Sequence, residues 1–157
     1  MHKLFAMLPC YNEEKDIEPL VHKWMELDDE FSQQGYALSV YCINDCSTDS
    51  TKDVILKLTQ TYPERVHLVN HEVNRGLGGA LMTALRVFLE QGSDKDICVL
   101  MDGDNTHDPV YTLSMLPKLE SGADCVIASR YCGESKTKGV SAFRLFFSWG
   151  ARAYYSL

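Results

Sequence analysis

Short apolar runs alternate along this chain with stretches whose apolar residues recur at helical spacing. Lys3 to Leu8 reads as a first strand, ended by Pro9, which cannot donate to a ladder. From Ile17 the apolar positions are Ile17, Leu20, Val21, Trp24, Leu27 and Phe31, the stripe of one helix. Acids open it, as the helix dipole prefers, Pro19 fits only its first turn, and Gln33-Gln34-Gly35 stops it. Ala37 to Ile43 is a second strand. It runs into Asn44-Asp45-Cys46-Ser47-Thr48-Asp49-Ser50-Thr51, a dense set of cap and turn residues. Val54, Ile55, Leu58 and Tyr62 mark the next helix, and Val66 to Val69 a short third strand. Asn74 to Gly79 leads into a third helix with Ala80, Leu81, Ala84, Leu85, Phe88 and Leu89 toward the core, closed by Gly92. Ile97 to Met101 is an unbroken apolar run, the pattern of a strand buried on both faces. A helix over Tyr111 to Leu119 and a strand at Asp124 to Ala128 follow. The segment 141–157 is apolar and aromatic nearly all round.

Strand and helix alternate throughout, which implies a mostly parallel sheet with helices on its faces. In such sheets ligands bind beyond the carboxyl ends of the strands. The polar clusters 9–14, 44–51, 102–107 and 129–138 all follow strands, so they should converge on one edge.

Composition narrows the classes. The 157 residues suit one domain, with 45% hydrophobic and 24% charged residues. A net charge of −7 argues against nucleic acid as the main partner. No apolar run reaches the roughly 18 residues of a membrane span, and the N-terminus is too soon interrupted for a signal peptide. Cysteines stand at 10, 42, 46, 98, 125 and 132 with no Cys-x-x-Cys pair. That pattern fits free thiols in a reducing cytosol rather than disulfides or a zinc site. Cys42, Cys98 and Cys125, inside apolar strands, should be inert.

The chemistry concentrates at Asp102-Gly103-Asp104. In extended backbone alternate side chains share a direction, so both carboxylates can face one point. Such a pair repels unless a cation sits between them, and Mg²⁺ with oxygen ligands, water and substrate phosphates is the natural neutraliser. Gly103 keeps a side chain out of the way of an approaching ligand. The alternative is an acidic turn after a core strand. Gly76-Leu77-Gly78-Gly79-Ala80 comes too late in the chain for a dinucleotide fingerprint. A close helix-to-sheet contact, or helix amides meeting an anion, are its two open readings, with packing favoured. Asp45 ends a strand and can reach the ligand edge, or merely cap a helix. His107 follows the acidic pair, where a solvated histidine is the ordinary outcome. No Gly-x-Ser-x-Gly elbow supports hydrolase chemistry. Arg130 closes the last strand and Arg144 opens the aromatic tail, so both could clamp an anion; solubility is the alternative and suits Arg144 better. The tail implies burial against further chain or contact with a membrane interface, and the chain reads as a fragment of something longer.

Five motifs in order carry a resemblance: Leu8-Pro9-Cys10-Tyr11-Asn12-Glu13-Glu14, Asn44-Asp45-Cys46-Ser47-Thr48-Asp49, Asn74-Arg75-Gly76-Leu77-Gly78-Gly79-Ala80, Asp102-Gly103-Asp104 and Ser129-Arg130-Tyr131. From about residue 4 onward the chain resembles the family 2 inverting glycosyltransferases of GT-A fold. The nearest branch is that of dolichyl-phosphate mannose synthase and other polyprenyl-phosphate sugar transferases. The resemblance implies an α/β, Rossmann-like nucleotide-diphospho-sugar transferase fold, truncated at the C-terminus. It implies that Pro9, Tyr11, Glu13, Ile43 and Asp45 hold the nucleotide. Asp102, Gly103 and Asp104 would hold the diphosphate and a Mg²⁺ or Mn²⁺ ion, with Asp102 and Asp104 as its ligands. Arg130 and Arg144 would lie near the donor and acceptor phosphates, Arg130 counting with Asp102 and Asp104 among the catalytic groups. Two departures stand out. Asn44-Asp45-Cys46-Ser47 replaces the usual Asp-Asp-Gly-Ser, and Thr106 stands where many relatives carry glutamine.

The expectation is one catalytic domain over 1–157, with 141–157 beginning an acceptor or membrane-proximal region. It would move a hexosyl unit, with inversion, from a UDP- or GDP-linked sugar to an acceptor such as a polyprenyl phosphate. The place is cytoplasmic, at the inner face of a membrane touched through 141–157. Transfer to a saccharide, or nucleotide-sugar binding without turnover, are the alternatives. A nucleotidyltransferase would want a glycine- and lysine-bearing loop after the first strand, which Pro9 to Glu14 lacks.

Overall fold

The computed structural model describes residues 1–129. The chain divides into two compact units, 1–123 and 124–157. In the first, β1 (His2–Cys10), α1 (Ile17–Glu26), α2 (Asp28–Gln33), β2 (Tyr36–Asn44), α3 (Thr51–Thr61), β3 (Val66–Asn70), α4 (Gly76–Gln91), β4 (Ile97–Leu100) and α5 (Tyr111–Glu120) follow in order. The four strands form one sheet, ordered β3-β2-β1-β4, and every pairing is parallel.

β1 is the axis of this unit. Its side chains alternate between two apolar layers, as the pleat requires. Leu4, Ala6, Leu8 and Cys10 join Leu38, Val40 and Cys42 of β2 beneath α1, α2 and α3, where Trp24 stacks on Phe31. Phe5 and Met7 point the other way, with Tyr41 and Ile43, onto Ala80 and Ala84 of α4. The sheet is thus covered on both faces. The chain steps from β1 through β2 to β3 in one direction, then returns across α4 to place β4 on the far side of β1. With crossovers of one hand, a reversal of direction puts the connecting helix on the opposite face. The reversal also opens a crevice beyond the carboxyl ends of β1 and β4.

Several expectations need correction. Pro9 does not end the first strand, which runs on to Cys10 with Pro9 opposite Ile43. Its carbonyl accepts from the Gly103 amide at 3.1 Å, so Pro9 faces the side where β4 has already ended at Leu100. The first helical stripe is broken at Leu27 into α1 and α2. The run at β4 is not buried on both faces. It is half-buried, and Leu100 is 44% exposed, because β4 is an edge of the described sheet. On α4 only Ala80 and Ala84 are fully buried, while Leu85 and Leu89 are exposed; among the described residues α4 is the helix packed on that face of the sheet. Residues 124–128 form no strand, and Cys125 is exposed rather than inert within one. Cys98 is half-buried and its thiol is pushed up to about 11 by burial, while Cys42 is fully buried as expected. Among the described residues no helix is long and apolar enough to cross a membrane.

Candidate nucleotide-sugar site

The segments that leave the carboxyl ends of β1 and β2 are stapled together. The Asn12 amide donates to Ser47 Oγ at 3.0 Å, and Thr48 donates to Asn12 Oδ1 through its amide at 2.8 Å. The Glu13 amide reaches Thr51 Oγ1 at 2.8 Å, and the Ser50 amide donates to Glu14 Oε2 at 3.0 Å. Short polar side chains are what such a seam needs, because they satisfy loop amides that no ladder can reach. Asn12 and Cys46 both adopt left-handed backbone, at φ 60° and 57°. For asparagine this is ordinary; for Cys46 it is strained, at the position where the resembling family has glycine. The turn still forms, with the Cys46 thiol donating to the Glu72 carbonyl at 3.4 Å.

At the switch point lies an open cleft of about 400 Å³. One wall carries Pro9, Cys10, Tyr11 and Glu13 from the end of β1. Another carries Asp102, Gly103 and Asp104, and Asp45 closes the β2 side. Asn74, Gly76, Leu77 and Ala80 at the start of α4 complete it. The structure therefore brings Pro9, Tyr11, Glu13, Asp45, Asp102, Gly103 and Asp104 into one cavity. Ile43 is not among them; its side chain is fully buried in the α4 layer. His107 is exposed and lies off the cleft. Arg130, Arg144 and the segment 141–157 lie outside the described residues.

Gly103 earns its place by packing. A Cβ there would sit 2.8 Å from the Pro9 carbonyl oxygen and 2.9 Å from Cys10 Sγ, closer than real contacts allow. The missing side chain makes room for β1 first, and so fixes Asp102 and Asp104 against the strand end. The glycines at α4 do not act as the favoured packing reading supposed. A Cβ at Gly76 or Gly78 meets nothing within 4 Å, and at Gly79 it would clash with the Arg75 Cβ, a contact at the start of the helix rather than with the sheet. Gly76 instead turns the chain into α4 at φ 68° and lines the cleft.

The electrostatics of the cleft are acidic. Asp104 Oδ1 accepts from the Thr106 amide and hydroxyl at 3.0 and 2.8 Å, which orients it; Asp102 is exposed to solvent. The Glu13 carboxyl is raised above its usual range, first by burial, then by repulsion from Asp104, Asp16, Asp49 and Asp102. Carboxylate oxygens that repel one another across a cleft are the donor set of a hard divalent cation. The residues present therefore fit Mg²⁺ or Mn²⁺. Among the described residues no group of three or more histidine, cysteine or carboxylate side chains is closed into a metal cage. A Mg²⁺ ion that keeps water and substrate phosphates takes only one or two protein carboxylates.

Asp45 does not cap α3, whose first amide, that of Thr51, is taken by Asp49 at 2.9 Å. Its Oδ1 accepts from His71 Nδ1 at 2.7 Å and from the Arg75 amide at 2.8 Å. Burial pushes the Asp45 carboxyl up, but hydrogen bonds from His71 and the Arg75 amide, with the attraction of His71, hold it below its ordinary value. His71 directly follows β3, as the other site residues follow their own strands. That placement is the one sequence signal that could have singled it out.

The glycosyl transferase family 2 model matches residues 6–155. The dolichol-phosphate mannosyltransferase of Pyrococcus furiosus is 28% identical over 149 residues, covering 95% of this chain and 39% of the relative. The undecaprenyl-phosphate mannosyltransferase of Micrococcus luteus is 30% identical over 152 residues, covering 97% and 58% respectively. A solved mannosyltransferase from Pyrobaculum calidifontis, in complex with GDP-Man and Mn²⁺, is similar at 28% identity with a TM-score of 0.52. That match covers 64% of this chain and 27% of the solved one. The chain thus spans about two fifths to three fifths of the length of these curated relatives. With a parallel sheet, a cleft at its switch point and a family match across nearly its whole length, the chain belongs to glycosyl transferase family 2.

Proposed function

We propose that this chain is the donor-binding part of a metal-dependent, inverting glycosyltransferase that moves a hexosyl unit from a nucleotide diphosphate sugar to a polyprenyl phosphate. The observation that carries the reading is the cleft itself, with Asp102 and Asp104 on one wall and Asp45 with Tyr11 on others. Tyr11 is 48% exposed and offers a ring face on which a nucleobase can stack. Asp45, ionised and held, accepts from base N–H groups. Asp102 and Asp104 hold a Mn²⁺ or Mg²⁺ ion together with the diphosphate. When bound, the metal supplies Lewis-acid stabilisation of charge on the leaving diphosphate. An acceptor phosphate oxygen attacks the anomeric carbon as the bond from that carbon to the diphosphate oxygen breaks, inverting the centre. That oxygen is already anionic, so no general base is needed.

GDP- and UDP-linked sugars are the donors to test, since GDP-Man accompanies the Pyrobaculum neighbour. The lipid-phosphate acceptor is supported by the names of the two mannosyltransferase relatives. In this reading Arg130 and Arg144 grip the phosphates, 1–157 is one catalytic region, and 141–157 meets the cytoplasmic membrane face. Calorimetric titration of the chain with GDP and UDP, with and without Mn²⁺, tests the donor site. Asp104→Asn should abolish the metal-dependent part of binding and leave the thermal melt intact; unchanged affinity would remove the metal assignment. Transfer by the full-length enzyme to a short-chain polyprenyl phosphate tests the acceptor. Transfer only to a sugar hydroxyl would move it to a saccharide.

A further inference from the structure

The strongest unassigned feature is a buried chain of polar side chains behind the cleft. His71 is only 5% exposed. Its Nδ1 lies 2.7 Å from Asp45 Oδ1, and its Nε2 lies 2.9 Å from Thr83 Oγ1 on α4. The Thr83 hydroxyl in turn reaches the Gly79 carbonyl at 3.1 Å. The His71 amide donates to the Asn44 carbonyl at 2.9 Å, which ties β3 to the end of β2. An ionised carboxylate only accepts, so Nδ1 carries the proton of the first contact. The ring is thus held at two points, by Asp45 and by Thr83 of α4, while the backbone amide anchors the residue to the end of β2. The Arg75 amide shares the same Asp45 oxygen at 2.8 Å.

We infer that His71 is a positioning residue for nucleobase recognition: with the Arg75 amide it holds Asp45 Oδ1 and so fixes the carboxylate in one rotamer at the wall of the cleft that Asp45 lines. A free carboxylate can rotate to present either oxygen, and loses that freedom on binding. A carboxylate held by two donors has already lost it, which favours binding and aligns the remaining acceptor. Specificity follows from the same geometry. A fixed, acceptor-only oxygen in a buried setting favours bases that present an N–H and penalises those that present a lone pair. Thr83 matters at one remove, because its hydroxyl sets which way the imidazole plane turns.

This inference rests on reading Asp45 as the base acceptor, so the experiment separates the two. The full chain is titrated with GDP, UDP and inorganic pyrophosphate, each with Mn²⁺, as wild type, His71→Leu, His71→Asn, Thr83→Val and Asp45→Ala. An asparagine side-chain nitrogen can stand where Nδ1 stands. His71→Leu should weaken GDP or UDP about tenfold or more while pyrophosphate affinity is unchanged, and His71→Asn should restore most of the loss. A purely structural histidine would lower the melting temperature and weaken all three probes together, or none. Wild-type nucleotide affinity in His71→Leu, with affinity lost in Asp45→Ala, overturns the positioning role and leaves the Asp45 reading standing. Unchanged affinity in Asp45→Ala, or no nucleotide binding by the wild type, overturns both. If His71→Leu does not fold, Thr83→Val decides: a selective loss of nucleotide over pyrophosphate supports the role, and an unchanged panel overturns it.

Discussion

At the residue scale the site is made by carboxylates whose surroundings differ. Asp45 is buried and held by donors, Asp104 is oriented by Thr106, and Glu13 is crowded by other acids. The consequence is opposite titration behaviour within one cleft. Asp45 is held below its ordinary value in the folded chain, against the upward push of burial. A carboxyl depressed on folding contributes stability that is fully present above its unfolded value, near 3.9, and is lost as pH falls through the folded value. The stability advantage of the wild type over Asp45→Asn, measured by urea unfolding, should therefore be largest near neutrality and shrink below about pH 4. A gap that stays constant down to pH 2 would show that Asp45 is not held in this way. The aspartates were legible in the sequence because each lies within three residues of the end of an apolar run, Asp45 after Ile43 and Asp102 and Asp104 after Met101. His71 was not, because its role depends on contacts to Asp45 and Thr83 across 26 and 12 residues of chain.

At the scale of elements, each turn of the site is held by the strand it leaves and by its neighbours. The Met101 and Gly103 amides donate to the carbonyls of Met7 and Pro9, so the ladder between β1 and the β4 side continues into the acidic turn. Lys23 of α1 reaches over to Asn105 Oδ1 at 2.8 Å, and Asn105 takes left-handed backbone at φ 54°. Gly103 is the point where this turn has no slack, since a methyl would press on the Pro9 carbonyl and on Cys10 Sγ. Gly103→Ala should cost about 1–3 kcal/mol in unfolding free energy, the usual cost of overpacking. It should also weaken Mn²⁺-dependent GDP or UDP binding, because the turn must move outward with both carboxylates on it. A variant with wild-type stability and affinity would mean the turn yields freely. Element identity was readable from periodicity, and strand neighbourhood was not. An unbroken apolar run such as Ile97 to Met101 reads as central, yet β4 stands at an edge of the described sheet. The exposed Leu85 and Leu89 fit the same helical stripe as the buried Ala84, so periodicity alone does not separate them.

At the scale of the molecule the cleft touches β1, β2, the acidic turn after β4 and α4 at once. A ligand there bridges both apolar layers, because Cys10 roots in one and Ala80 in the other. Binding should therefore stabilise the 1–123 unit as a whole rather than order a single loop. The repulsion that Asp104 and Asp102 exert on Glu13 adds a second condition. A diphosphate alone brings more negative charge into an acidic cleft and should bind poorly. Mn²⁺ alone should bind weakly, since two protein carboxylates leave most of its positions to water. Together each relieves the cost of the other, so their effects on the melting temperature should exceed the sum of the separate shifts. Ligand at about 100 times its dissociation constant contributes about 2.7 kcal/mol. For a chain of this size that corresponds to a rise on the order of 5–11 °C. Differential scanning calorimetry with GDP or UDP, Mn²⁺, and each nucleotide with Mn²⁺ measures the coupling directly. In Asp104→Asn the shift with nucleotide and Mn²⁺ together should fall to that of nucleotide alone. Additive shifts in the wild type, or the same excess in the variant, would mean that nucleotide and metal do not meet at Asp104, and the donor diphosphate would have to be placed elsewhere in the cleft.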